Sequence, residues 1–315
     1  MAAHDLLERV RATGLLAPGA PVVVLLSGGR DSVCLLDVAA RLAGPGAVAA
    51  LHVDYGLRAE SAQDAEHCRA LCDGLGVSIE VRTATRPGGA GNLQAWARDV
   101  RLGAAAALAA TRAAVVATGH TASDQAETIL YRLAASPGRR ALLGMSERDG
   151  VIVRPLLRVT REETTAHCTA RGLAWREDAS NEDLAYARNR ARADLVPALR
   201  ALHPAAEDNV VRTAQLLREE AAVLDEVVAT ALAGRHEIEV AHLAALPPAL
   251  ARLVLRRLAE DVAGRLCARA PARLADVLAL GDGALDLGDG ARAVVAGGVL
   301  RVVPTPAGPA APART

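Results

Sequence analysis

Apolar positions in the first 135 residues fall into two alternating periods. Pro21–Leu26 reads PVVVLL, a short β-branched run that ends in Ser27-Gly28-Gly29, as a strand buried on both faces would. Asp31–Leu42 repeats its apolar positions at helical spacing until Gly44-Pro45-Gly46 stops it. The same alternation continues through the apolar run Ala47–Val53, the helix Ser61–Leu75 closed by Gly76, and the run Val77–Val81. An Ala-rich helix Asn92–Thr111, a run Ala113–Thr118 and a helix Ser123–Ala135 complete it. Strands separated by helices of this length predict βαβ units, hence an α/β fold with an open, mostly parallel, doubly wound sheet. Beyond a loop at Ser136–Arg140 the pattern changes to long helices at Ala205–Leu232 and Pro248–Val262. Leu285–Leu287, Ala291–Val295 and Leu300–Val303 then alternate around Gly and Asp. These features predict a smaller C-terminal helical domain ending in a hairpin sheet. The expected boundaries are 1–204 for the α/β domain, 205–303 for the second domain, and a disordered Pro/Ala-rich tail at 304–315.

With 315 residues, 51% of them apolar and 23% charged, the chain can bury its cores without disulfides or metals. Its 36 acidic residues are balanced by 36 basic ones, and every base is Arg. Without Lys, neither a Walker A phosphate loop nor a pyridoxal Schiff base is possible. Phe is absent too, which argues against an RNA-recognition sheet carrying stacked aromatics. Cys34, Cys68, Cys72, Cys168 and Cys267 are scattered. Cys68 and Cys72 share a helix face, but two ligands do not make a zinc site, so buried reduced thiols are expected. Asp5, Glu8, Arg9 and Arg11 interrupt any signal-peptide core, and no apolar run reaches the ~20 residues of a membrane span. A soluble, cytoplasmic protein with no membrane partner is expected.

The neutral total conceals local charge. Seven Arg lie between Arg132 and Arg161 against only Glu147 and Asp149, and Arg188, Arg190, Arg192 and Arg200 are opposed in their span only by Asp194. RNA phosphates would suit both stretches, and a solvated surface would also account for them.

Candidate chemistry begins at Ser27-Gly28-Gly29-Arg30-Asp31-Ser32, between the first strand and the first helix, where open α/β sheets bind ligands. Two glycines let the backbone come close to a ligand, and successive N–H groups at a helix start form an anion nest. Asp31 beside a phosphate calls for a bridging cation, and Mg²⁺ suits one carboxylate plus phosphate oxygens. The plainer reading is a strand-to-helix turn capped by Ser or Asp.

SGGRDS resembles the pyrophosphate-loop signature of ATP-splitting enzymes that adenylate their substrates. His52-Val53-Asp54-Tyr55-Gly56-Leu57-Arg58 with Ser61 and Asp64 resembles the second motif of the tRNA(Ile)-lysidine synthase family. Gly91-Asn92-Leu93-Gln94 with Ala97, Arg98 and Arg101 is similar to its third. Thr118–Thr128, which reads TGHTASDQAET, is similar to its fourth. Arg139–Met145 with Arg154-Pro155-Leu156 follows the family loop. Asp178–Asn181, Asp183, Tyr186, Arg188-Asn189, Arg192 and Pro197 resemble its late motif. The resemblance spans residues 20–210, and the remainder matches loosely. Tyr55 stands where the family usually has His, and Pro137-Gly138-Arg139 replaces the usual Gly-Ser-Gly. The length resembles the family's short form.

The resemblance implies an adenine-nucleotide α-hydrolase-like domain that binds ATP through Ser27, Gly28, Gly29, Arg30, Asp31, Ser32, His52, Val53 and Gly119, with Mg²⁺ on Asp31. It implies that free L-lysine and an isoleucine tRNA with a CAU anticodon are the partners, and it is compatible with a homodimer. The wobble cytidine would be adenylated and then attacked by lysine, in a pocket built from His120, Asp124 and Glu127. Thr121-x-x-Asp124 also reads as a helix-capping pair. Arg139, Arg140, Arg188, Asn189 and Arg192 would grip the tRNA. Two other readings stay open: an enzyme of the same fold acting on a small molecule or thiolating tRNA, and a catalytically idle tRNA-binding protein.

Overall fold

The computed structural model describes residues 2–56, 61–86, 92–135, 139–176 and 187–306. The chain divides into two compact units, Met1–Leu217 and Arg218–Thr315.

In the first unit, α1 (Ala2–Ala12) precedes β1 (Val22–Leu25), α2 (Arg30–Ala43), β2 (Val48–Asp54), α3 (Ser61–Leu75) and β3 (Ser78–Thr83). α4 (Leu93–Arg112), β4 (Val115–Ala117), α5 (Ala122–Ala135), α6 (Arg139–Leu142), β5 (Arg148–Asp149), β6 (Ile152–Val153) and α7 (Arg161–Ala170) follow. The six strands take the order β3-β2-β1-β4-β6-β5. All neighbours pair in parallel except β5 with β6. β1 is buried along its whole length because helices cover both faces of the sheet. Val22, Val24 and Leu26 meet α1, α2, α3 and α7 through residues such as Leu6, Leu35, Cys68 and Cys168. Val23, Leu25, Leu51 and Val53 meet α4 through Ala105, Leu108 and Ala109. The chain builds β2 and β3 to one side of β1 and β4 to the other, so the strand order reverses beside the C-terminal end of β1. Ligand clefts form at such a reversal.

α7 is bolted to α2 by polar groups. Its first turn is closed by a capping box between Thr160 and Glu163. His167 Nε2 lies 2.8 Å from Asp37 Oδ2, with both side chains fully buried. Arg171 donates to the other carboxylate oxygen at 3.3 Å. Burial alone would raise the Asp37 pKa, but the hydrogen bonds from His167 and Arg171 outweigh it and hold the carboxyl below its usual range. A depressed carboxylate pKa adds stability above the unfolded value of about 3.9, and that stability is lost as pH falls through the folded value. Wild-type protein should therefore lose part of its stability below about pH 4. Asp37→Ala, which strands His167 in the core, should cost about 3 kcal/mol at neutral pH, as when one partner leaves a buried pair. Denaturant melts of both proteins from pH 3 to 7 check the two statements, and curves that keep a constant separation across that range would contradict them.

α8 (Ala187–Arg190), a π-helical turn at Ala191–Leu195, α9 (Val196–Leu202) and α10 (Ala206–Leu232) continue the chain, and the division between units falls inside α10. The second unit contains β7 (Glu237–Glu239), α11 (Val240–Ala245), α12 (Pro248–Ala263), α13 (Leu274–Ala279), β8 (Gly283–Gly288), β9 (Ala291–Ala296) and β10 (Val299–Pro304). Its strands form an antiparallel sheet in the order β7-β10-β9-β8. Val254, Leu255 and Leu258 of α12 pack on Ala291, Ala293 and Leu300 of that sheet. The hairpin pattern of the sequence is thus a three-stranded meander with β7 added at its edge. Among the described residues no helix is long and apolar enough to cross a membrane.

Candidate active site

A cleft of about 520 Å³ opens where the strand order reverses, a volume within the range of ligand sites. Its floor is the turn from β1 into α2. Gly28 adopts φ +84° there, a conformation that Gly takes without strain. The turn is held by its own serines: Ser32 Oγ donates to Gly29 O at 2.8 Å, and Ser27 Oγ accepts from Gly29 N at 3.3 Å. Gly29 is the N-cap of α2, and no side chain caps that helix. The plain capped-turn reading of the hexapeptide therefore does not describe it. Gly29, Arg30, Asp31 and Ser32 of this helix start line the cleft, and an uncapped helix N-terminus suits an anion.

Gly119 follows β4 and lies against this floor. A Cβ there would stand 3.0 Å from the Asp31 carbonyl carbon and oxygen and 3.1 Å from Ser32 N. Only a glycine lets the two loops touch. Next to it, His120 Nδ1 lies 2.8 Å from Thr118 Oγ1, which fixes the ring.

Asp31 is the first acidic group in the cleft. Its Oδ1 accepts from Thr164 Oγ1 at 2.6 Å and Arg30 Nε at 3.2 Å, and its Oδ2 has Arg161 Nε at 4.0 Å. Asp124 has two duties. Its Oδ2 accepts from Thr121 N at 2.8 Å and Thr121 Oγ1 at 3.0 Å, which is the helix-capping pair. Its Oδ1 faces Arg161 at 3.4 Å and Arg192 at 3.6 Å. Glu127 lies deeper, with its side chain 1% exposed. Arg192 clamps it through both oxygens, at 2.7 and 3.2 Å, and Arg161 adds a contact at 3.3 Å. Burial opposes the Arg192 charge, but Glu127, Asp124 and Asp31 outweigh it and raise its pKa. The π-helical turn that carries Arg192 re-aims a side chain that an α-helix would present elsewhere.

The structure places the sequence-derived residues unevenly. Ser27, Gly29, Arg30, Asp31, Ser32, Val53, Gly119, His120, Asp124 and Arg192 line the cleft. His52 alternates with Leu51 and Val53, so its side chain faces α3, where Nδ1 lies 2.9 Å from Leu26 O and 3.4 Å from Cys68 Sγ. Arg139 and Arg140 start α6, and Asn189 lies in α8; none of the three lines the cleft. The Arg188 side chain, Leu57-Arg58, Gly91, Pro137-Gly138, Asp178–Asn181, Asp183, Tyr186 and the end of the tail fall outside the described residues.

Five further Arg line the cleft: Arg98, Arg101, Arg154, Arg161 and Arg176. With Arg30 and Arg192 they make seven, against Asp31 and Asp124 as the acids of the lining, so the cleft wall is positive, although Arg192 and Arg161 also meet Glu127, Arg176 meets Asp64 and Arg154 meets Asp149 behind it. Arg98, Arg101 and Arg154 sat in sequence motifs without an assigned role, and Arg161 was visible only as charge. The capping box at Thr160 was the signal that could have placed Arg161 at a helix start. Tyr55 contributes a ring packed edge-on to Trp96 at 5.6 Å, and its hydroxyl donates to Ala97 O at 3.0 Å. All five thiols are buried, and burial pushes Cys68 and Cys72 up to about 12. Such thiols are poor nucleophiles at neutral pH.

Comparison with known proteins agrees with this geometry. The PP-loop domain family matches residues 6–199. A tRNA(Ile)-lysidine synthase of Salinispora tropica is 41% identical over 91% of this chain and 91% of its own. The chain belongs to the tRNA(Ile)-lysidine synthase family. It is an ATP-dependent tRNA-processing ligase, and this branch prevails over the other readings the sequence left open. A family member from Thermus thermophilus is 40% identical over 81% of this chain and 51% of its own length. The U34-tRNA thiolase NcsA of Methanococcus maripaludis shares the fold, with a TM-score of 0.59, 16% identity, and coverage of 69% of this chain and 79% of that one.

Proposed function

We propose that the cleft binds ATP over the Ser27–Ser32 turn and joins lysine to the wobble cytidine of a CAU-anticodon isoleucine tRNA in two displacements. In the first, the cytosine 2-oxygen attacks the α-phosphorus, the bond to the β-phosphate bridging oxygen breaks, and pyrophosphate leaves. In the second, the lysine ε-amine attacks carbon 2, the carbon–oxygen bond breaks, AMP leaves, and the amine loses a proton. The single observation carrying this reading is the meeting of an uncapped helix start with seven arginines in one cleft. Preorganised donors of this kind stabilise the charge that develops on a transferring phosphoryl group.

Each residue has a task in this scheme. Amides of the turn and Ser27 and Ser32 hold phosphate oxygens. Arg30, Arg98, Arg101, Arg154 and Arg176 neutralise the polyphosphate. Leu51, Val53 and Leu102 offer an apolar wall to the adenine, since all three line the cleft. Asp31 fits a Mg²⁺ site: it is a hard oxygen donor beside the anion nest, and one of its carboxylate oxygens has only the distant Arg161 contact. Mg²⁺ bound there would supply charge neutralisation on the polyphosphate. Asp124 holds the lysine ammonium before attack, and His120, with its ring fixed by Thr118, takes the proton. Glu127 positions Arg192. The charge of Arg139 and Arg140 and the amide of Asn189 suit the anticodon stem, and the second unit would contact the tRNA further away. A cytoplasmic location follows from the substrates.

Incubation with ATP, L-lysine and unmodified tRNA should yield lysidine at the wobble position, read by nucleoside mass spectrometry. Pyrophosphate should appear only when that tRNA is present. Pyrophosphate release without tRNA, or hydrolysis to ADP, would exclude the scheme.

A further inference from the structure

The carboxylates that would receive the lysine ammonium are already facing cations, and the two cations are held differently. Arg192 is bidentate on Glu127, at the 2.7 Å of a strong charge-assisted bond. Arg161 is spread over three acids without a short contact to any: 3.3 Å to Glu127, 3.4 Å to Asp124 and 4.0 Å to Asp31. It is 23% exposed, lines the cleft, and rises from the first turn of α7 beside the anion nest. A triphosphate in the cleft presents oxygens with more negative charge than any one of these carboxylates. It is therefore the better partner for the loosely held guanidinium.

We propose that Arg161 is an exchange residue that makes lysine binding conditional on nucleotide. Without nucleotide its charge repels the lysine ammonium from Asp124. With nucleotide it turns to phosphate, and Asp124 Oδ1 is turned over to the amine. Arg192 stays on Glu127 and keeps the helix face in place. The inference rests on the reading of this cleft as the joint ATP and lysine site. It adds an order of assembly: nucleotide first, amine second. Linkage makes the effect reciprocal, so lysine must tighten nucleotide binding by the same factor.

The test is equilibrium dialysis of labelled L-lysine against the full chain, alone and saturated with Mg²⁺ and α,β-methylene-ATP, which cannot release pyrophosphate. Lysine affinity should rise by roughly tenfold or more with nucleotide, within the usual range of coupling between sites. Nucleotide affinity, measured with and without lysine, should rise equally. In Arg161→Ala and in Arg161→Gln, lysine should bind the nucleotide-free protein more tightly than it binds wild type, and the coupling factor should fall towards one. A role in folding alone would weaken both ligands and leave the ratio unchanged. Equal lysine affinity in the two wild-type states, or undiminished coupling in both variants, overturns the exchange and leaves the cleft assignment standing. Absence of saturable lysine binding in the nucleotide-loaded protein overturns the lysine pocket itself, and the exchange with it.

Discussion

Asp31→Ala should abolish tRNA-dependent pyrophosphate release, with a loss on the order of 10²–10³-fold or more, the scale for one preorganised electrostatic group. The side chain sits at the start of α2, inside the cleft, and its carboxylate is the acidic group nearest the anion nest. The fold should survive. Asp31 is 22% exposed on its side chain, and Thr164 Oγ1, which donates to it, also lies 2.9 Å from Arg161 O and so keeps an acceptor for its proton. Circular dichroism and the melting temperature should stay near wild type while release disappears. Turnover near the wild-type rate would remove both the carboxylate and the cation it would hold from the mechanism.

Gly119→Ala should be nearly as damaging for a different reason. The added methyl meets backbone atoms of Asp31 and Ser32 at 3.0–3.1 Å, and backbone cannot swing aside as a side chain can. The β4–α5 connection and the phosphate-binding turn must separate by a few tenths of an ångström. That displaces His120 relative to the phosphate site. A misplacement approaching 1 Å can cost about 10²-fold in rate, while overpacking typically costs 1–3 kcal/mol in stability. Single-turnover adenylation should fall on that scale, with the melting transition lowered but still cooperative. Unchanged turnover would mean that the turn tolerates the displacement, and that the close approach has no part in catalysis.

The parts of the molecule that could be read in advance were those encoded locally. PVVVLL followed by two glycines and a helical pattern carries strand, turn and helix within about twenty residues, and the structure returns β1 at Val22–Leu25 and α2 at Arg30–Ala43. Asn92 opens the long helix that the sequence predicts, and it accepts from Gln94 N and Ala95 N as its N-cap. Elements with weak or very short patterns were missed. β5 and β6 have two residues each, too few to show a period. α7 reads REETTAHCTA, and its buried face consists of Thr164, His167 and Cys168, which a search for apolar stripes passes over. α1 buries Leu6, Leu7 and Val10 at helical spacing, but charged neighbours obscured the stripe.

The candidate site shows the same divide. Glycines and serines of the turn announce themselves because they are adjacent. Arg161, Arg192, Asp124 and Glu127 meet only through the fold, and 65 residues separate Glu127 from Arg192. No spacing rule links them. His52 and Val53 share a motif yet point to opposite sides of the sheet, a consequence of the two-residue period of a strand.

Because every sulfhydryl lies inside, alkylating reagents have nothing to capture until a region opens. Cys34, Cys68, Cys72 and Cys168 report on the first unit and Cys267 on the second. The order in which they become labelled would rank the opening energies of the two halves without any introduced probe.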